Sequence, residues 1–280
     1  MTLRLLDTFS GIGGFSLAAR WLGGFQTVQF VERDPYCQRI LRKHWPTVPI
    51  HDDICTFNPE PGSADVVCGG FPCQDISSAG KQAGIKEGTR SGLFYELMRV
   101  VRLVEPRYIV LENVAAILGR GLDDVLGALA EAGLDAEWAC IPAAAVGACH
   151  RRDRWWAVAY ASDLFSDGGA AGHSRQYGPG AVSESGNGDC SVATDTISHR
   201  PQGTIRLRPH SAAWPQANLR RLDPDWGGHV SEPVLCRGDD GLSGRVDRLR
   251  ALGNAVVPQV AAIPLARVLE LHNGNLTTTP

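Results

Sequence analysis

Short runs of β-branched and other apolar residues alternate with segments of helical period through the first 160 residues of the chain. The runs predict strands at Leu3–Leu6, Thr27–Val31, near Pro49–His51, Ala64–Cys68, Tyr108–Leu111, Ala136–Ile141 and Trp155–Tyr160. Between them, the segment from Gly92 to Leu103 puts Leu93, Leu97, Val101 and the following Val104 on one helical face, the spacing of a helix that packs on a sheet. A second crossover helix is predicted over Leu122–Ala132, and a first one opens at Phe15–Arg20. Strand and helix in alternation imply an α/β fold, a mostly parallel sheet covered on both faces.

At Ala161 the pattern breaks. Ser162 to Gly203 is rich in Gly, Ser, Asp and Asn and poor in large apolar residues, so it is read as loop-dominated or ordered by a partner. From Thr204 to Cys236 the chain regains Ile205, Leu207, Trp214, Leu219, Leu222, Trp226, Val230 and Val234, enough for a small subdomain. Arg248 to Pro258 then leads into a helix over Gln259–Leu271, bent at Pro264. The division expected is a main domain over 1–160, a small insertion over 161–245, and a segment over 246–280 that returns to the main domain.

Composition narrows the class. A chain of 280 residues with 44% hydrophobic content can bury a substantial core. It shows no uninterrupted apolar stretch of roughly 20 residues, the length that crosses a bilayer, and Met1-Thr2-Leu3-Arg4-Leu5-Leu6 runs straight into a glycine motif without a cleavage region. The expectation is a soluble cytoplasmic protein with no membrane association. Eight cysteines are scattered without a Cys-x-x-Cys pair, so most are read as small reduced core residues and no metal is expected. The net charge of -3 speaks weakly against nucleic acid, yet 13 of the 24 arginines lie between Arg151 and Arg250, among about a dozen acids.

Three segments at predicted strand ends carry candidate chemistry. Asp7-Thr8-Phe9-Ser10-Gly11-Ile12-Gly13-Gly14 follows the first strand, Phe71-Pro72-Cys73-Gln74 follows the fourth, and Glu112-Asn113-Val114 ends the run Tyr108–Leu111. If the strands are parallel these loops share one edge, where open α/β sheets bind ligands. The glycines let backbone amides approach a dinucleotide or a phosphate, or simply make a tight turn. Glu32, after the second strand, can accept hydrogen bonds from ribose hydroxyls, which fits a dinucleotide and S-adenosylmethionine equally. Cys73 in isolation reads as an inert thiol; with Pro72 before it, polar Gln74 and Ser77 after it and helix amides nearby, it reads as an activatable nucleophile. Glu112 would then serve proton transfer.

The combination resembles the cytosine-C5 DNA methyltransferases of bacteria and phages. Phe9-Ser10-Gly11-Ile12-Gly13-Gly14 matches their cofactor loop, Gly70-Phe71-Pro72-Cys73-Gln74 their nucleophile loop and Glu112-Asn113-Val114 their acid motif, in the family's order. His150-Arg151-Arg152-Asp153-Arg154 is similar to the motif in which Gln and two alternate arginines line the base pocket, and Gly253 to Pro258 to the returning cofactor motif. The likeness covers about 1–160 and 245–272.

The resemblance implies a Rossmann-like methyltransferase fold, S-adenosyl-L-methionine as methyl donor with S-adenosyl-L-homocysteine as product, and a flipped-out cytosine in double-stranded DNA as substrate. It implies that Cys73 adds to C6, that Glu112 holds or protonates N3, and that Arg154, with Arg152 beside it, holds the base oxygen. Cofactor contacts carried over are Phe9, Gly11, Ile12 and Gly13, Glu32 on the ribose, Asp53 and Ile54 around the adenine, and Leu93 and Asn254. A cognate restriction endonuclease is the protein partner that enzymes of restriction-modification systems imply. His150 departs from the family's Gln, a change that alters pocket hydrogen bonding without touching the covalent step. No target code is recognised in 161–245. The competing readings are methylation of cytosine in RNA, which the continuation Asp75-Ile76-Ser77 speaks against, and a silent DNA-binding homologue.

Overall fold

The computed structural model describes residues 2–72, 92–148, 150–161, 208–209 and 245–274. Cys73, Gln74, Ser77 and nearly all of the expected insertion, with its subdomain over 204–236, lie outside them. One eight-stranded sheet organises the rest: β1 (Leu3–Thr8), β2 (Phe25–Val31), β3 (Ile50–His51), β4 (Val66–Gly70), β5 (Tyr108–Val114), β6 (Leu134–Pro142), β7 (Asp153–Ala161) and β8 (Arg208–Pro209), in the order β3-β2-β1-β4-β5-β7-β6-β8. β7 alone is antiparallel to its neighbours β5 and β6. The other pairings are parallel. The strand order reverses between β1 and β4, which makes the carboxyl ends of those strands the switch point of the sheet.

The seven strands expected from the sequence are present, most of them longer than their apolar runs. β5 continues through Glu112 to Val114 because β7 pairs along its whole length, Glu112 opposite Trp156 and Val114 opposite Arg154. Polar residues join a strand here because a neighbour supplies backbone partners, not because their own pattern demands it. Strands buried on both faces read as continuous apolar runs. Along β5, Ile109 and Leu111 enter one core while Tyr108 and Val110 enter the other. Along β7, Trp155 and Trp156 do the same with the two largest buried side chains.

Helices α3 (Leu93–Val104) and α4 (Leu122–Glu131) cover the first face, with Leu97, Val101 and Val104 buried as their spacing predicts. On the second face α1 (Gly14–Leu22) lies against α6 (Pro258–His272). Two helices were not anticipated. α2 (Pro35–His44) starts where the Asp34 carboxylate accepts the Tyr36 amide at 2.8 Å and Pro35 sits in the first turn, an ordinary capping arrangement. The other is α5 (Arg245–Asn254).

No apolar run of bilayer length is uninterrupted, but one helical span among the described residues is long and apolar enough overall to cross one. Arg250–His272 reaches that length, with mean hydropathy 1.4. In the fold α6 is a core helix, with Val260 to Val268 buried without a break. The stretch is apolar because it packs between α1 and β7. Its one deep cation is paired: Arg267 Nε donates to Glu137 Oε1 on β6 at 2.7 Å, and Nη1 reaches Glu270 at 3.1 Å. Removing one member of such a pair leaves a buried charge unopposed. Arg267→Ala is expected to lower the unfolding free energy by roughly 3–5 kcal/mol, measured by urea titration; a loss below about 1 kcal/mol, the range of exposed pairs, would show that the pair is not the tie it resembles.

A second buried acid joins β1 to α1. Gly13, the residue before α1, offers no capping side chain. Asp7 replaces it from the strand: its Oδ2 accepts the Ser16 hydroxyl at 2.7 Å and the Ser16 amide at 3.2 Å, while Oδ1 has no partner. Full burial outweighs these bonds and pushes the Asp7 carboxyl from 3.8 up to about 7. A folded-state value above the unfolded one stabilises at low pH, and that contribution is lost as pH rises toward about 7. Relative to Asp7→Asn, the wild-type protein should therefore lose stability between about pH 5 and about pH 8. Urea midpoints measured for both at the two pH values test this, and a pH-independent difference would contradict it.

Candidate active site

The carboxyl ends of β1, β2, β4 and β5 converge on a cleft of about 380 Å³. Parallel pairing sets them level, Thr8 beside Gly69 and Gly70 beside Glu112. Of the residues singled out in the sequence, Phe9, Gly11, Glu32, Asp53, Ile54, Leu93, Glu112, Arg152, Arg154 and Asn254 line this cleft. Ile12 and Gly13 do not. They line a neighbouring cavity of about 260 Å³ with His150, Leu252 and Val256, and Arg152 borders both. Cys73 lies outside the described residues, one position beyond Pro72 on the cleft wall.

The loop after β1 turns through left-handed conformations at Phe9 (φ 50°), Gly11 (φ 53°) and Gly13 (φ 86°). Phe9 is the notable one, since a bulky residue rarely adopts positive φ outside sites that over-determine it. Gly14 is required for a different reason: a Cβ there would stand 2.7 Å from the Val256 carbonyl, so only glycine lets the segment after α5 come this close. Glu32 holds the loop in place. Its Oε2 accepts the Gly11 amide and its Oε1 the Asp34 amide, both at 2.7 Å. Burial raises the Glu32 pKa against the pull of those amides.

Across the cleft, Asp53 accepts the Cys55 amide at 3.0 Å, which holds its carboxyl below the usual range. Ile54 is buried. Arg99, from α3, shapes this loop by donating to the carbonyls of Ile54 (2.7 Å) and Phe57 (3.0 Å) and to the Asn58 side chain (2.9 Å).

Glu112 sits at the floor. Its carboxylate accepts from Arg154 Nε at 3.0 Å, and Arg154 Nη1 donates to the Asp153 carbonyl at 2.8 Å. A Cβ on Gly70 would come within 2.9 Å of Glu112 Oε2, so the missing side chain makes room for the acid. Desolvation pushes the Glu112 carboxyl up to about 7, only partly offset by the Arg154 and Arg152 cations. It is poised near neutrality, where a carboxyl both holds and releases a proton. Asn113 next to it donates to the Phe71 carbonyl at 3.2 Å and accepts its own neighbour's amide, Val114, at 2.8 Å. The acid strand is thereby tied to the Phe71-Pro72 turn.

Arg152 does not contact Glu112 directly. Its Nη2 donates to the carbonyls of Gly253 (2.9 Å) and Ala255 (2.8 Å), on either side of Asn254. Sequence reading also passed over Asp34 and Arg250, an ion pair on the cleft rim, and Arg99. Asp-Pro ahead of α2 was a visible signal for the first; the two arginines show only ordinary i,i+3 pairs with Glu96 and Asp247, while the contacts that shape the cleft are with distant carbonyls and a distant carboxylate. Of the cysteines in the described residues, Cys37 and Cys68 are buried free thiols whose pKa burial raises. No group of three metal-ligating side chains occurs among the described residues.

Residues 3–185 match the model of the family described as C-5 cytosine-specific DNA methylase. The type II methyltransferase M2.BsuMI of Bacillus subtilis is 36% identical over 173 residues, 59% of this chain and 43% of that protein. M.HhaI of Haemophilus parahaemolyticus, also a type II methyltransferase, is 32% identical over 167 residues, 58% of this chain and 50% of its own length. The chain thus spans about half the length of the curated relatives it matches. Among solved structures, the Entamoeba histolytica methyltransferase EhMeth superposes with a TM-score of 0.50 at 14% identity, over 60% of this chain and 55% of that one, a likeness of fold. With the match extending from β1 past the end of β7, the chain belongs to the C-5 cytosine-specific DNA methylase family.

Proposed function

We propose that the protein is a DNA (cytosine-5)-methyltransferase that uses S-adenosyl-L-methionine. The observation that carries the reading is the Glu112 carboxyl, held near neutrality by burial beside Arg154, on the strand adjoining the one that leads through Phe71-Pro72 to Cys73.

The cleft fits the cofactor. A carboxylate offers about four acceptor positions, and the two Glu32 oxygens accept one amide each, which leaves capacity for ribose hydroxyls. Phe9, Ile54 and Leu93 provide apolar walls for a purine. Bound there, S-adenosyl-L-methionine supplies an electrophilic methyl group.

C5 of cytosine is too poor a nucleophile to take that methyl group unaided. Addition of the Cys73 thiolate to C6 solves this: an S–C6 bond forms, the C5=C6 pair shifts to C4–C5 while the C4=N3 pair takes the Glu112 proton at N3, and C5 becomes an enamine carbon. C5 then bonds to the methyl carbon as the methyl–sulfur bond breaks. Loss of the C5 proton to solvent re-forms the C5–C6 double bond, expels Cys73 as thiolate and returns the N3 proton to Glu112. Arg154, paired with Glu112 at 3.0 Å, would hold the base oxygen and offset the negative charge that develops during addition. C6 is shielded within a stacked duplex, so the base must be extruded into the cleft.

The test is transfer of labelled methyl to duplex DNA, with base-resolution mapping of the product. Cys73→Ala should abolish transfer and retain S-adenosyl-L-homocysteine binding, and duplexes containing 5-fluorocytosine should trap the wild-type protein covalently. Glu112→Gln should fold and bind but turn over roughly 100- to 10,000-fold more slowly. Full activity of Cys73→Ala, or transfer to tRNA in preference to duplex DNA, would overturn the reading.

A further inference from the structure

Arg152 makes contacts of its own that the base-holding role implied by the family resemblance does not require. It has a φ of 36°, a conformation a non-glycine side chain adopts only under constraint, in the turn that precedes β7. From there its guanidinium crosses to the C-terminal segment and donates to the carbonyls of Gly253 and Ala255 at 2.9 and 2.8 Å. Gly253 is in the last turn of α5 and Ala255 follows its end, where the last carbonyls have no intrahelical partners and the helix dipole favours a cation. Asn254, between them, lines the large cleft, and Arg152 itself separates that cleft from the smaller cavity beside Ile12 and Gly13.

We infer that Arg152 is a positioning residue: it pins the 253–255 turn, and with it Asn254, against the cofactor side of the cleft, and leaves contact with the substrate base to Arg154. The assignment accounts for the positive φ as part of the turn from which the side chain reaches two carbonyls about 100 residues further along the chain. It also explains why two arginines two residues apart are kept distinct: Arg154 faces Glu112 at 3.0 Å, while Arg152 acts on Glu112 only through its charge. The ligand named here rests on the proposed function; the clamp itself does not.

Three readouts on Arg152→Gln and Arg152→Lys test this. Two hydrogen bonds from a charged donor are lost in Arg152→Gln, so the affinity for S-adenosyl-L-homocysteine should fall by about tenfold or more, with KM for S-adenosyl-L-methionine rising in step and kcat at saturating cofactor changing far less. Amide exchange at residues 255–257 of the ligand-free protein should quicken while exchange in β4 and β5 stays as in wild type. Arg152→Lys, one atom shorter but still cationic, should recover part of the affinity. Unchanged cofactor affinity and unchanged exchange in Arg152→Gln, with a raised KM for DNA, would overturn the inference and return Arg152 to the base. Should wild-type protein neither bind the cofactor nor transfer methyl, the functional reading fails, and the exchange measurement, which needs no ligand, still decides the clamp.

Discussion

A carboxyl group enclosed where a reversed strand meets a parallel one is the constraint on which this site depends. β5 receives β4 in parallel on one side and β7 antiparallel on the other. The first pairing sets Gly70 beside Glu112, without a Cβ to displace the acid. The second brings Arg154, two residues along β7 from the partner of Glu112, to 3.0 Å from its carboxylate. Were β7 parallel, the start of that strand and its arginines would lie at the opposite edge of the sheet. Topology therefore supplies the acid with both its space and its counter-ion.

Around that centre, buried polar groups hold loops that have no regular structure of their own. Asp7 caps α1 from within β1, and Glu32 gathers two amides from separate loops. Arg99 gathers four acceptors of the 54–58 loop, and Arg152 the turn at the end of α5. Each satisfies donors or acceptors that would otherwise be costly to bury. The same burial raises the acids Asp7 and Glu112 to about 7. The structural use of a carboxylate and its chemical tuning are thus one effect seen at two places.

Much of this was legible in the chain. Seven strands and four helices follow from apolar period, because a two-sided sheet imposes runs and packed helices impose spacing. The three strand-end motifs could be placed on one edge from topology alone. What could not be read are contacts between distant segments: the ion pair of Arg250 with Asp34, the approach of Val256 to Gly14, and the attachment of Arg152 to Gly253 and Ala255. None leaves a periodic trace. Helix α6, expected as a helix from the sequence, is as apolar as a membrane span because it is a core helix covered on several sides. Ile12 and Gly13, which the family resemblance implies as cofactor contacts, line the second cavity beside the cleft, a placement that no sequence pattern reveals.

The most direct test is the titration of Glu112 in the ligand-free protein, followed by carbon-detected NMR of labelled carboxyl groups and assigned by its absence in Glu112→Gln. A midpoint of about 7 is predicted, because desolvation there outweighs the two arginines. A midpoint at the ordinary value of 4.5 would mean that the carboxyl is solvated or fully paired, and would contradict its assignment as the proton donor to N3.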